Sequence, residues 1–188
     1  MMGVRDTHSV SLRSTLGAGS ALKAPRLHPD LSPLLAPVQC RSKRVTCTLL
    51  CSYNKISAEG AVAVFEVVSC LGSVGELLMD GNRIGDAFAC MNRATNLASL
   101  RILSLRANRI RVLDCMPFLP SLKTLLLDGN QIGDSFELNC LSNSCPSVER
   151  LSLSWCSIHN ISRVCSALRG LTKLRVLALQ QVSQVLFP

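Results

Sequence analysis

The chain has 188 residues, 48% of them hydrophobic and 17% charged, with a formal net charge of +8. That balance is globular and excludes a disordered chain, and the length suffices for one domain with its own core. Aromatic residues contribute only 4%, so the core must be built from Leu, Val, Ile and Cys, a supply that suits rows of like side chains in stacked repeats.

Residues 1–44 hold seven Lys and Arg against two acids, Asp6 and Asp30. Most of the positive charge therefore sits there, and the remainder is only mildly basic. Pro25, Pro29, Pro33 and Pro37 recur every four residues, which rules out a regular helix. The segment reads as a disordered or extended basic tail. Its start lacks the uninterrupted apolar core of a secretory signal, and its Ser- and Arg-containing, acid-poor composition is shared with mitochondrial presequences. The RSKR run at 41–44 reads as solvated charge before the first strand, with a nuclear import signal as the sharper alternative. No apolar stretch approaches the roughly 20 residues of a membrane span.

From residue 45 the chain repeats itself. TCTLLCSYNKI from Thr46, VGELLMDGNRI from Val74, LRILSLRANRI from Leu100, LKTLLLDGNQI from Leu122, VERLSLSWCSI from Val148 and LRVLALQQVSQ from Leu174 share the frame L-x-x-L-x-L-x-x-N-x-I. Of its 24 apolar slots, only Thr46 and Gln184 fail, where composition alone would fill about 12. The ninth place holds Asn54, Asn82, Asn108, Asn130 and Cys156. Its spacing of 28, 26, 22 and 26 residues marks a repeat architecture. DGNRIGDAF (80–88) and DGNQIGDSF (128–136) are near copies 48 residues apart, which points to duplication of a two-repeat block.

Alternation around the second and third Leu predicts a short strand in each unit with one face inward. The Asn at place nine stands where the chain leaves the strand, and its amide is expected to satisfy backbone groups of its own and the adjacent coil. Cys156 can substitute only as a weaker donor. Each unit then returns on the outer side. Ser57 is placed to cap a helix over AEGAVAVFEVVSC, and Asn160 one over ISRVCSALRG with Ile161, Val164, Cys165 and Leu168 on one face. Pro117 and Pro120 forbid a long helix in the third return.

These strings resemble the leucine-rich repeat family over about residues 45–182. NKISAEGAVAVFEVV and the two NxIGD strings resemble its longer, ribonuclease-inhibitor-like class; the 22-residue third unit is of a shorter class, so the array is mixed. The resemblance implies an α/β solenoid: a curved right-handed superhelix with parallel strands on the concave face and helices and turns on the convex face. It also implies protein–protein binding through the concave face. The expected organisation is a tail over 1–44 and a domain of about six repeats over 45–188. VLALQQVSQVLFP carries no polar cap, and the sequence reads as a fragment or splice form of a longer repeat protein.

Ten cysteines spread almost evenly, with no CxxC pair, read as reduced core residues of an intracellular, cytoplasmic or nuclear protein. Cys140 and Cys145 share one return loop and read as packing thiols. His8, His28 and His159 are the only histidines, and His159 is expected at the surface or in a cap. No nucleophile motif, HExxH, P-loop or GxGxxG occurs, so neither catalysis, a cofactor nor a metal is expected.

Candidate binding residues follow from the frame. Place five holds Leu50, Leu78, Ser104, Leu126, Ser152 and Ala178, an outward apolar row. Place seven holds Ser52, Asp80, Arg106, Asp128, Ser154 and Gln180, with Arg106 able to pair with Asp80 and Asp128 across the sheet. Place eight puts Tyr53 and Trp155, the only Tyr and the only Trp, in one rim column. The expectation is a monomeric scaffold that binds a protein partner through Leu50, Tyr53, Leu78, Asp80, Arg106, Leu126, Asp128 and Trp155, without a membrane. The second reading is a nucleic-acid-associated repeat protein that uses the basic tail and the cluster Arg101, Arg106, Arg109 and Arg111.

Overall fold

A computed structural model describes residues 9–11, 46–85, 97–113, 116–134 and 139–180. The short strands expected in the six units are all present. They are β2 (Cys47–Leu50), β3 (Val74–Leu78), β4 (Ile102–Ser104), β5 (Thr124–Leu126), β6 (Arg150–Ser152) and β7 (Val176–Ala178). A further strand, β1 (Ser9–Ser11), lies within the tail and pairs with β2. That strand was not foreseen; the rest of residues 1–44 lies outside the described residues.

The seven strands form one open parallel sheet in chain order. Its register follows the repeat frame. Leu77 sits beside Leu103, Leu103 beside Leu125, Leu125 beside Leu151 and Leu151 beside Leu177. Like places therefore stack into columns. The first, fourth, sixth and eleventh places of the second to fifth units are all buried in one continuous core. In the sixth unit Leu174, Leu177 and Leu179 are only partly buried and Val176 is exposed.

Parallel neighbours need a crossover, and the return segments supply it. Helix α1 (Ala58–Leu71) begins where expected: the Ser57 hydroxyl accepts the Gly60 N–H, and Gly72, left-handed at φ +60°, ends it. Ala61, Phe65 and Val68, at i, i+4 and i+7, point into the core. Helix α3 (Ile161–Leu168) is capped by Asn160, whose side chain accepts the Arg163 N–H. Helix α2 (Asn139–Ser144) was not foreseen; NCLSNS is too short and too polar to show a helical stripe. The third return, with Pro117 and Pro120, has no helix among its described residues and buries Met116 and Leu119.

One motif escaped the sequence reading. Four strands are entered through a tight turn in which the first core residue donates its N–H to a carbonyl three residues back: Leu100 to Leu97, Leu122 to Leu119, Val148 to Cys145 and Leu174 to Leu171. The signal was present as LASLR, LPSLK, CPSVE and LTKLR.

The cysteines need correction. Cys51, Cys145 and Cys156 are buried, but Cys70 and Cys165 are exposed and Cys47 and Cys140 intermediate. Val164 and Leu168 take the inward stripe of α3, and Cys165, 100° round the helix from Val164, is turned out of it. Cys40, Cys90 and Cys115 lie outside the described residues.

Candidate interaction face

Two side-chain ladders tie the coils together where they leave the sheet. The first is the expected one. Asn82 Oδ1 accepts the N–H groups of Asn54 (2.9 Å) and Ile56 (3.0 Å), while Nδ2 donates to the carbonyls of Cys51 (2.9 Å) and Met79 (2.8 Å). Asn108 accepts from Asn82 N–H and donates to Met79 and Arg106 carbonyls. Asn130 accepts from Asn108 and Ile110 N–H, both at 3.0 Å, and donates to Leu105 and Leu127 carbonyls. In the fifth coil Cys156 Sγ donates to Leu127 O at 3.1 Å, with a longer contact to Ser154 O at 3.6 Å. Burial pushes its thiol pKa up to about 11, so the sulfur stays protonated and able to donate at neutral pH.

The second ladder runs along place seven and was missed. Asp80 N–H donates to Ser52 Oγ (3.0 Å), Arg106 N–H to Asp80 Oδ1 (2.9 Å), Ser154 N–H to Asp128 Oδ1 (2.9 Å) and Gln180 N–H to Ser154 Oγ (3.1 Å). Ser and Asp recur at that place because their short side chains carry an acceptor to the next coil. Arg106 carries no acceptor and breaks the run; its Nε instead donates to Asp128 Oδ2 at 2.9 Å. Asp80 also accepts from Ser104 Oγ at 2.6 Å, and Asp128 from Ser152 Oγ. The two aspartates expected to face a partner are therefore engaged within the chain, and Arg106 pairs with Asp128 as the sheet frame anticipated.

The outward row is less open than its composition suggests. Leu50, Leu78 and Leu126 are half-buried, since each is shaded by neighbours one strand away. Leu50 abuts Leu78, but buried Ser104 separates Leu78 from Leu126. The apolar row is thus a pair and a single, not a continuous strip.

Place eight holds the strained residues. In every one of the first five coils its backbone is left-handed: Tyr53 (φ 60°), Gly81 (64°), Ala107 (52°), Gly129 (69°) and Trp155 (62°). Only the second and fourth coils place glycine there. The odd coils are left-handed again at place ten, in Lys55, Arg109 and Ser157, whereas the even coils delay that turn to Gly85 and Gly133. Two coil types alternate, as the 48-residue near copies anticipate. A side chain held left-handed costs about 1–2 kcal/mol, yet Tyr53 is 80% exposed and Trp155 55%. The Tyr53 ring overlies Gly81 so closely that a methyl group there would come within 2.4 Å of it.

Asp134 accepts the N–H groups of Asn160 (2.9 Å) and His159 (2.8 Å), and these bonds hold its carboxyl below the ordinary range. His159 Nδ1 lies 3.7 Å from Asp134 Oδ2 just before α3, at the surface, while the cap itself is Asn160. Among the described residues, no group of three His, Cys, Asp or Glu gathers as a metal site, and no helix is long and apolar enough to cross a membrane.

No family model matches the chain, and no curated protein matches it. Among solved structures, an internalin from Listeria monocytogenes is similar at 17% identity and a TM-score of 0.32, over 71% of this chain and 47% of the other. The chain thus spans about half the length of that internalin.

Proposed function

We propose that this chain is a leucine-rich repeat protein that acts as a non-enzymatic scaffold, holding a protein partner on the outward face of its sheet. The observation that carries this reading is the pair Tyr53 and Trp155. Both occupy a backbone conformation in which glycine would be unstrained, and both residues are largely exposed. Neither burial nor conformation accounts for an aromatic there in the isolated chain. A partner that covers the rings does, because burying an aromatic side chain is worth roughly 2–3 kcal/mol. The pairing of Asp80 and Asp128 within the sheet supports the same division of labour: polar groups brace the coils, and the rim presents contact area.

The test is co-purification from cells, with and without nuclease, of the native chain and a Tyr53→Gly, Trp155→Gly variant. Glycine removes the rings and relieves the strain, so the variant keeps its fold. A protein that survives nuclease and is lost with the variant supports the scaffold. A partner retained by the variant refutes the assignment to this face, and nuclease-sensitive recovery replaces it with nucleic-acid binding.

A further inference from the structure

Place ten of the first three coils holds Lys55, Arg83 and Arg109, all exposed. The backbone is stitched at that level. Asn82 Oδ1 bonds the residues on either side of Lys55, Arg83 N–H donates to Ile56 O at 2.8 Å, and Gly85 N–H to Asn108 O at 2.9 Å. The three cations therefore occupy the same place on successive coils, whose strands run roughly 5 Å apart, with Lys55 and Arg109 on a left-handed backbone.

Among the described residues none of the three has an ion pair or a side-chain hydrogen bond. Two acids of the same face are engaged among the described residues: Asp80 by Ser104 and the Arg106 N–H, Asp128 by Arg106, Ser152 and Ser154. Other cations of the face do find partners, Arg106 in Asp128 and Lys123 in Glu149. The column then turns neutral at Gln131 and Ser157. Its charge is confined to the end of the sheet where Tyr53 stands exposed. Like charges on neighbouring strands are destabilising, so the free chain carries a local repulsion that an anion would relieve.

We propose that the Lys55, Arg83 and Arg109 column docks an extended peptide segment rich in Asp and Glu, which passes beside the Tyr53 ring. The proposal rests on the scaffold reading and names the chemistry of its partner. Peptide is favoured over single-stranded nucleic acid because base-stacking tracks interleave several aromatics with their cations. Here Tyr53 alone accompanies three cations, and the other rim aromatic, Trp155, sits on the fifth coil, where the column is neutral.

The test is fluorescence anisotropy on the purified full chain with three labelled probes of equal length: an alternating Glu–Ser peptide, its Gln–Ser counterpart and single-stranded oligouridine. The Glu peptide is expected to bind, the Gln peptide not, and added salt to weaken the complex. A Lys55→Gln, Arg83→Gln, Arg109→Gln variant is expected to bind roughly tenfold more weakly, while Lys123→Gln changes affinity less than about twofold. Thermal melting by circular dichroism checks that the triple variant is at least as stable as the native chain, so that lost binding is not lost fold. Equal binding of the Glu peptide by the native chain and the triple variant overturns the proposal, as does no binding by either. Tighter binding of oligouridine, lost in the triple variant, assigns the column to nucleic acid and overturns it too. If the Glu peptide fails while the cellular partner still depends on Tyr53 and Trp155, this proposal falls and the scaffold stands.

Discussion

Replacing Asn130 with alanine removes four hydrogen bonds at once. Its Oδ1 accepts from Asn108 and Ile110, and its Nδ2 donates to Leu105 and Leu127. At about 1 kcal/mol net per bond the loss is about 4 kcal/mol. Asn108 and Ile110 are themselves fully buried, so their stranded N–H groups raise the cost towards ~6 kcal/mol. Asn54 occupies the same place in the first coil but is half-buried, and its side chain makes one bond, to Ser52 O at 3.1 Å. Asn54→Ala should therefore cost about 1 kcal/mol or less. Urea denaturation followed by far-ultraviolet circular dichroism measures both. Total stability for a chain of this size is about 5–15 kcal/mol, so an Asn130→Ala chain unfolded in buffer agrees with the reasoning. Equal losses in the two variants, or an unfolded Asn54→Ala chain, would refute the idea that the ladder's energy lies in bonds between coils.

Other expectations follow from the strained and buried positions. Tyr53→Gly should raise stability by about 1 kcal/mol by relieving the left-handed backbone, read as an increased urea midpoint. Gly81→Ala should lower it by more than Gly129→Ala, because the added methyl at Gly81 meets the Tyr53 ring whereas Gly129 has only ordinary contacts. Cys156→Asn should stabilise by about 1–2 kcal/mol, since an amide would supply the carbonyl acceptor that the thiol lacks; an unchanged midpoint would show that the fifth coil cannot seat it. Alkaline pH should destabilise the fold. Burial pushes the Cys145 thiol up to about 12 and Cys156 to about 11, from an ordinary value of 9.0. The folded state thus keeps protons that the unfolded chain loses, so stability is full below pH ~9 and declines as pH rises towards 11–12. A Cys145→Val variant should show a shallower fall in melting midpoint between pH ~8 and ~10.5, and an identical fall would contradict this.

The repeat, the strand in each coil, both helix caps and the Asn ladder were legible because each depends on residues close in sequence or at a fixed period. Ser57 and Asn160 cap helices that start one residue later. What was hidden depends on pairs between coils. Nothing in Asp80 alone reveals that its carboxylate will take the Arg106 N–H, 26 residues on. The row of Leu50, Leu78 and Leu126 was read as open because periodicity shows which face a residue takes but not how far its neighbours one strand away shade it. Strand β1 could not be foreseen, since SVS bears no mark of the repeat and gains its place only by pairing with β2. The alternation of left-handed positions was half visible in DGN, where glycine signals it, and invisible at Tyr53 and Trp155, where bulky residues adopt the same backbone.

The most direct test of the scaffold places a photo-crosslinking amino acid in cells at Trp155 on the rim and, separately, at Phe118. Phe118 is equally exposed, at 54%, but belongs to a return segment. Protein adducts at 155 and none at 118 are the predicted result. Adducts at 118 alone, or at neither position, would contradict binding through the outward face of the sheet.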